Sequence, residues 1–227
     1  MTKKRSISFG SAKRALFEQF SLIAKAAASP ARLQLLDLLA QGEKPVELLA
    51  SQAGLTVANT SAHLRTLRNA ALVSSRREAN YIYYRLADPA VHGLLQCLER
   101  VAERQSSEVR EIVRDCFAGP EGLEPVTAPE LFARLRDGDV TVLDVRPGDE
   151  YAAGHIPGAV SMPLAQLARR LKTLRKDADV VAYCRGPYCV LALEAVQLLR
   201  RRGFRVRRLA EGMPDWTARG LPVEAGA

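Results

Sequence analysis

Two thiols in one short loop carry the most distinctive chemistry of this chain. Cys184 and Cys189 enclose Arg185-Gly186-Pro187-Tyr188, where Gly and Pro force a tight turn. Ahead of the loop, Val180-Val181-Ala182-Tyr183 is apolar and β-branched, as a buried strand requires. Behind it, Val190–Leu199 has helical spacing. Strand, loop and helix in that order put Cys184 at the carboxyl edge of a sheet, beneath a helix N-terminus. Unpaired N–H groups and the helix dipole stabilise an anion there, so the spacing predicts a Cys184 thiolate, the nucleophilic form, at neutral pH. Without that setting a cysteine at a strand end is a small buried hydrophobe.

The composition bounds what surrounds the loop. The chain has 227 residues, enough for two domains of ordinary size, with 48% apolar and 26% charged residues. Four cysteines, at 97, 116, 184 and 189, are too few and scattered for a disulfide framework, which predicts a reducing, cytoplasmic setting. No stretch approaches the roughly 18 apolar residues of a membrane span. The basic start, Met1–Gly10, lacks the apolar centre of a secretory signal, so no membrane partner is expected. The net charge of +8 is uneven: residues 1–78 hold twelve Lys or Arg against five acids, which accounts for +7 of it. Such asymmetry suits a polyanionic partner.

The basic part reads as short helices followed by a hairpin. Ala15–Ala28 is helical by its apolar residues at 16, 17, 20, 23, 24 and 27. Ser29-Pro30 opens a second helix, Ala31–Gln41, and Gly42 stops it. Pro45–Ala53 forms a third, ended by Gly54, and Thr56 caps a fourth from Val57 to about Ala70. Two short helices about a tight Gly turn are a helix-turn-helix, whose second helix is available to a major groove. Leu72–Glu78, a turn at Ala79-Asn80 and Tyr81–Leu86 make a β-hairpin wing, with Arg76 and Arg77 near its tip as phosphate contacts. Asp88-Pro89 then caps one long helix to about Phe117, with an apolar stripe that a partner should cover. A continuous helix would hold Cys97 and Cys116 roughly 28 Å apart at 1.5 Å per residue, so they would form a secondary thiol site only across a dimer.

Ser29-Pro30-Ala31-Arg32, Leu55-Thr56, Ser61-Ala62-His63-Leu64, Leu72-Val73 and Tyr83-Tyr84-Arg85-Leu86 resemble an ArsR-type winged helix-turn-helix repressor over about residues 12–117. The resemblance implies a homodimer built on the first and last helices, bound to double-stranded operator DNA of imperfect two-fold symmetry. It places Thr56, Asn59, Ser61 and Arg65 at the groove, Arg76, Arg77 and Tyr81 on backbone or minor groove, and His63 in the packing. Many members of that family release DNA on binding a metal, but the ligands fail here. Val46-Glu47-Leu48-Leu49 has no cysteine for a third-helix arsenic site, and Ala90, Val101 and Arg104 stand where last-helix ligands would. Neither a metal nor a cofactor is expected.

Ala118–Pro125 is a Gly/Pro/Glu linker, which predicts a first domain over 1–117, a linker over 118–126 and a second domain over 127–227. Thr127–Glu130 opens a helix with a capping-box pattern. Strands at 140–145, 180–183 and 204–209, with helical runs between, imply an α/β domain with a parallel sheet. Leu143-Asp144-Val145-Arg146, Glu150-Tyr151, Gly154–Ala159, Tyr183-Cys184-Arg185-Gly186 and Glu211–Trp216 resemble, in order, a rhodanese domain over about 125–224. The expected fold is thus two domains: a mainly α winged helix-turn-helix with a β-hairpin wing, then an α/β rhodanese-like domain with a parallel sheet.

The rhodanese resemblance implies that Cys184 accepts sulfane sulfur as a persulfide. The donor would be thiosulfate, polysulfide or a low-molecular-weight persulfide. Loop amides of Arg185, Gly186, Tyr188, Cys189 and Val190 would cradle the anion, and Arg185 would add positive charge. Asp144, Arg146 and His155 read as scaffold. A phosphatase of related fold needs Cys-x5-Arg, and Val190 occupies the arginine position. Cys189 reads as a resolving thiol able to attack a Cys184 persulfide. Together the halves suggest a repressor that senses or relays sulfane sulfur and has rhodanese-type sulfurtransferase activity, with restriction to a single turnover left open. Two alternatives stay open: a sulfurtransferase with an autoregulatory DNA-binding module, and a repressor that answers arsenite or other thiol-reactive agents.

Overall fold

A computed structural model describes residues 9–117 and 124–226; the first six residues of the expected linker, 118–123, lie outside the described residues. By internal packing the chain divides into two units, Met1–Leu95 and Gln96–Ala227, and the division falls inside a helix, ahead of the linker.

The first unit starts with α1 (Phe9–Ala27), six residues earlier than the apolar spacing suggested, and α2 (Pro30–Ala40), opened by its proline. A two-residue strand, β1 (Lys44–Pro45), leads into α3 (Val46–Ala53). Gly54 ends α3 in the left-handed region (φ 66°), where its amide reaches back to the Ala50 and Ser51 carbonyls. Thr56 then opens α4 (Val57–Asn69), its hydroxyl accepting the Asn59 amide at 3.2 Å. The hairpin follows as β2 (Val73–Glu78) and β3 (Tyr81–Leu86), and β1 pairs with β3 to give the antiparallel order β1-β3-β2. Leu35, Leu36, Leu49, Leu64 and Leu67 form the centre of the core, with Val73 and Tyr84 of the wing packed on it.

The expected single helix to Phe117 is corrected. α5 (Ala90–Gln105) stops at Ser106, whose extended backbone and side-chain hydroxyl cap a new helix, α6 (Ser107–Ile112), by accepting the Val109 amide at 3.2 Å. A serine hydroxyl replaces the carbonyl that an incoming helix lacks, so it favours a restart over continuation. A π turn over Val113–Phe117 completes the segment. The straight-helix separation of Cys97 and Cys116 therefore does not hold, and both are exposed. α5 spans the division between units, with Val91 and Leu95 in the first core.

In the second unit α7 (Ala128–Asp137), β4 (Thr141–Asp144), α8 (Gly148–Ala153), β5 (Val160–Ser161), α9 (Leu164–Arg170), β6 (Asp179–Tyr183), α10 (Val190–Arg201), β7 (Arg205–Arg208) and α11 (Met213–Ala218) build a parallel sheet ordered β5-β4-β6-β7. Val180, Ala182 and Cys184 face α9 and α10, while Val181 and Tyr183 face α7 and α11. Burial on both faces explains why these strands read as unbroken apolar runs. No helix among the described residues is long and apolar enough to cross a membrane.

The carboxyl edge of the sheet is fixed by a buried ion pair. Arg146 meets Asp144 at 2.6 Å with neither side chain exposed, and it donates to the Gly154 carbonyl at 2.7 Å. The Tyr183 hydroxyl donates to Asp144 at 2.6 Å and accepts the Ile156 amide at 3.2 Å. Beside this network the His155 ring stacks on Tyr151 at 3.7 Å between centroids. Removing one partner of a buried pair strands the other charge, so Asp144→Ala should destabilise the protein by about 3–5 kcal/mol. Urea denaturation measures this, and a change below about 1 kcal/mol would show that the pair does not hold the edge.

Candidate functional site

Cys184 ends β6 and is buried, and its carbonyl accepts the Met213 amide at 3.2 Å. The loop after it lies directly on Gly212. A Cβ there would stand 1.9 Å from the Arg185 carbonyl oxygen and 2.5 Å from the Gly186 nitrogen, so only hydrogen fits. Asp215 holds Gly212 in place by accepting its amide at 2.8 Å. At the far end Cys189 starts α10 as its N-cap, and its amide is taken by the Gly186 carbonyl at 3.1 Å. The amides of Gly186 and Ala192 face the Cys184 sulfur, and those of Arg185 and Leu191 face the Cys189 sulfur. Leu191 and Ala192 escaped the sequence reading, although the first turn of every helix leaves its amides free for such a role.

The charge within the loop sits differently from the expectation. The two thiols share a hydrogen bond; it and burial push Cys184 well above the ordinary thiol range. The same bond, donated by Cys184, is the main cause that brings Cys189 down to about 7. Of the two thiols Cys189, the shallower, is thus the easier to ionise, while the Cys184 Sγ lies within donating reach of the Gly186 carbonyl at 3.7 Å and the Cys189 carbonyl at 3.6 Å.

Arg185 does not offer a free guanidinium to an anion. It grips the fully buried Glu150 through two nitrogens, at 2.7 Å to one oxygen and 3.1 Å to both. Tyr188 points away from the sulfurs: its hydroxyl donates to Glu103 of α5 at 2.7 Å, and its ring meets Phe117 edge-on at 5.8 Å. Burial and Glu103 both raise the Tyr188 pKa, so the phenol stays protonated and keeps donating. Val190 lies exposed at the start of α10. Arg208 of β7 is half-buried and donates to the Phe117 carbonyl at 3.4 Å. Among the described residues, no cluster of three or more His, Cys, Asp or Glu side chains is gathered for a metal ion.

In the first unit Thr56, Asn59 and Arg65 lie exposed on α4, and Ser61 and His63 are half-buried. On the wing Arg77 and Tyr81 are exposed. Arg76 is exposed too, but it bridges Glu43 at 2.6 Å and also pairs with Glu78, so two carboxylates already compensate its charge. Arg68, which the sequence reading omitted, stands exposed on the same helix as Arg65 and bonds Ser75 of the wing at 3.4 Å.

A winged helix-turn-helix joined to a parallel α/β unit with a cysteine loop at its sheet edge defines a DNA-binding regulator that carries a rhodanese domain. Family models agree: the one for "Bacterial regulatory protein, arsR family" matches residues 29–75, and the one for "Rhodanese-like domain" matches residues 127–219. The chain is 46% identical over 215 residues to the HTH-type transcriptional regulator Rv0324 of Mycobacterium tuberculosis, covering 95% of this chain and 94% of that protein. It belongs to the ArsR family of bacterial transcriptional regulators, in a form with a C-terminal rhodanese domain. Its second half is 35% identical over 102 residues to a sulfurtransferase of Allochromatium vinosum, covering 44% of this chain and 94% of that one. Among solved structures, the homodimeric winged helix-turn-helix domain of Mb0332 from Mycobacterium bovis is 37% identical with a TM-score of 0.40, covering 48% of this chain and 95% of that one.

The thiol pair predicts a measurable order of reactivity. Iodoacetamide labelling followed by peptide mapping should modify Cys189 before Cys184, with a midpoint of about 7 below which protonation slows the reaction. Cys184→Ala removes the donated hydrogen bond, so the Cys189 midpoint should move up toward the ordinary thiol range; an unmoved midpoint would sink this account.

Proposed function

We propose that this protein is a dimeric repressor whose hold on operator DNA is set by sulfane sulfur at the Cys184–Cys189 loop. With thiosulfate as donor, the Cys189 thiolate takes the Cys184 proton and the Cys184 sulfur attacks the outer sulfur of the donor. The donor S–S bond breaks, sulfite leaves with its electron pair, and Cys184 holds a persulfide. Cys189 returns its proton to the outer persulfide sulfur and attacks the Cys184 sulfur. Hydrosulfide is expelled and a disulfide closes: the sulfane sulfur is reduced to sulfide while the two thiols are oxidised.

The observation that carries this reading is the position of Tyr188. It lies inside the two-thiol loop, yet its hydroxyl is bonded to Glu103 on α5, the helix whose first turns supply Val91 and Leu95 to the winged-helix core. Closing the loop on itself would disturb that bond and the helix that bears it. The dimer is supported by α1, where Leu16, Phe17, Phe20 and Ile23 are exposed along one stretch of helix, an apolar surface that a second copy would cover. DNA would meet Asn59, Arg65, Arg68 and Arg77. Likeness to a sulfurtransferase favours a second reading, in which turnover is the main task and DNA binding is autoregulatory.

Gel shifts on the DNA upstream of its own gene test the coupling. Polysulfide should weaken binding by the wild type by roughly tenfold, the usual range of allosteric coupling, and leave Cys184→Ser unaffected. Tyr188→Phe should still load sulfur but release DNA less. Unchanged affinity in a protein whose Cys184 is persulfidated by mass spectrometry would overturn the proposal. Thiosulfate:cyanide turnover by the wild type separates the readings: a protein that stops after one turnover with a Cys184–Cys189 disulfide supports the regulator, and sustained fast turnover supports the enzyme.

A further inference from the structure

We propose that Arg208 is the binding residue for the charged end of the sulfur donor, which makes the loop selective for anionic donors of the thiosulfate type. The inference rests on Cys184 being the sulfur acceptor and names the donor chemistry of that site. Arg208 pairs in register with Ala182 on the neighbouring parallel strand, and Cys184 lies two residues beyond Ala182. Side chains alternate along strands, so Val206 and Arg208 share the face that holds Ala182 and Cys184, whereas Leu209 turns to the opposite core. Arg208 therefore stands one strand over from the reactive sulfur, on its side of the sheet and at the same carboxyl edge.

Its hydrogen bonding is incomplete. One terminal nitrogen donates to the Phe117 carbonyl at 3.4 Å, while Nε is buried and has no hydrogen-bond partner among the described residues. A buried N–H of a cation without an acceptor is costly, and an anionic oxygen offered to it recovers that cost. Burial makes the charged form of Arg208 less favourable, and negative charge at the Cys184 sulfur would offset part of this. Arginine presents Nε and a terminal nitrogen as a fork that matches two oxygens of a sulfonate-like group. The neighbouring candidate, Arg185, is bonded to Glu150. In the exchange with thiosulfate, Arg208 would hold the oxygens of the group that departs as sulfite, where negative charge accumulates as the S–S bond breaks.

Two measurements on the full-length protein test this. The first compares alkylation of Cys184 by iodoacetate, an anion, and iodoacetamide, its neutral analogue, with peptide mapping to separate it from Cys189, Cys97 and Cys116. Arg208→Gln should lower the iodoacetate-to-iodoacetamide rate ratio by roughly tenfold, the scale of one charge-assisted hydrogen bond, and Arg208→Lys should retain most of it. The second follows persulfide formation from thiosulfate by mass spectrometry: Arg208→Gln should raise the concentration needed for half-maximal rate by a similar factor, with thermal denaturation of both variants as a check on folding. Equal slowing with both alkylating reagents, or no change in either, overturns the role of Arg208. If the wild type takes no sulfur from thiosulfate, the sulfur reading fails, and the alkylation ratio still decides whether Arg208 draws anions to the loop.

Discussion

The second unit depends on a charge kept away from water. The Asp144 carboxylate has no exposure, and Arg146, Tyr183 and, through them, the Gly154 carbonyl and the Ile156 amide gather on it. A buried carboxylate is tolerated only when every lone pair has a donor, so each member has its place dictated by the others. Tyr183 is the residue before Cys184, so this network sets where β6 ends and where the sulfur begins. Gly212 provides the opposing wall: it admits the loop backbone so closely that no side chain can intervene. Between a polar clamp and a missing side chain, the loop has little freedom.

Within that frame, loop and helix-start amides serve both sulfurs, and the loop's own arginine is spent on Glu150. The consequence is a division of labour. Cys184 is the buried sulfur, and Cys189 is the shallower one and the easier to ionise. Lone activated cysteines combine both properties in one atom. Here the depth that shields Cys184 also disfavours its ionisation.

How much of this was legible in the sequence differed by element. The helix-turn-helix and the buried strands were plain, because capping residues, glycine stops and apolar runs are local signals. β1 and β5 are two residues each and exist only by pairing with distant strands, so no periodicity could announce them. The break at Ser106 was concealed by apolar spacing that continues across it, although the serine itself was the signal. The loop cysteines were found by their position, but which sulfur bears the charge was not, since that depends on relative depth and on a hydrogen bond between them. Arg185 and Arg76 looked free because a sequence does not show that Glu150, or Glu43 and Glu78, will be at their side. Nothing in the spacing of the strand at 204–209 singles out Arg208, whose Nε is buried only by the packing around it.

The two units also differ in when their contacts become available. The core of the winged helix is assembled from residues 26 to 95, so all of it has been synthesised when a little under half of the chain is made. The second sheet closes late: Val126 bridges to Leu209, the Cys184 loop rests on Gly212, and His155 pairs with Glu224. Domains generally fold as units in the order in which they leave the ribosome. A nascent chain therefore completes the winged-helix core before the thiol loop has the wall it leans on, so for an interval in synthesis the two loop cysteines lack the packing that sets their depth.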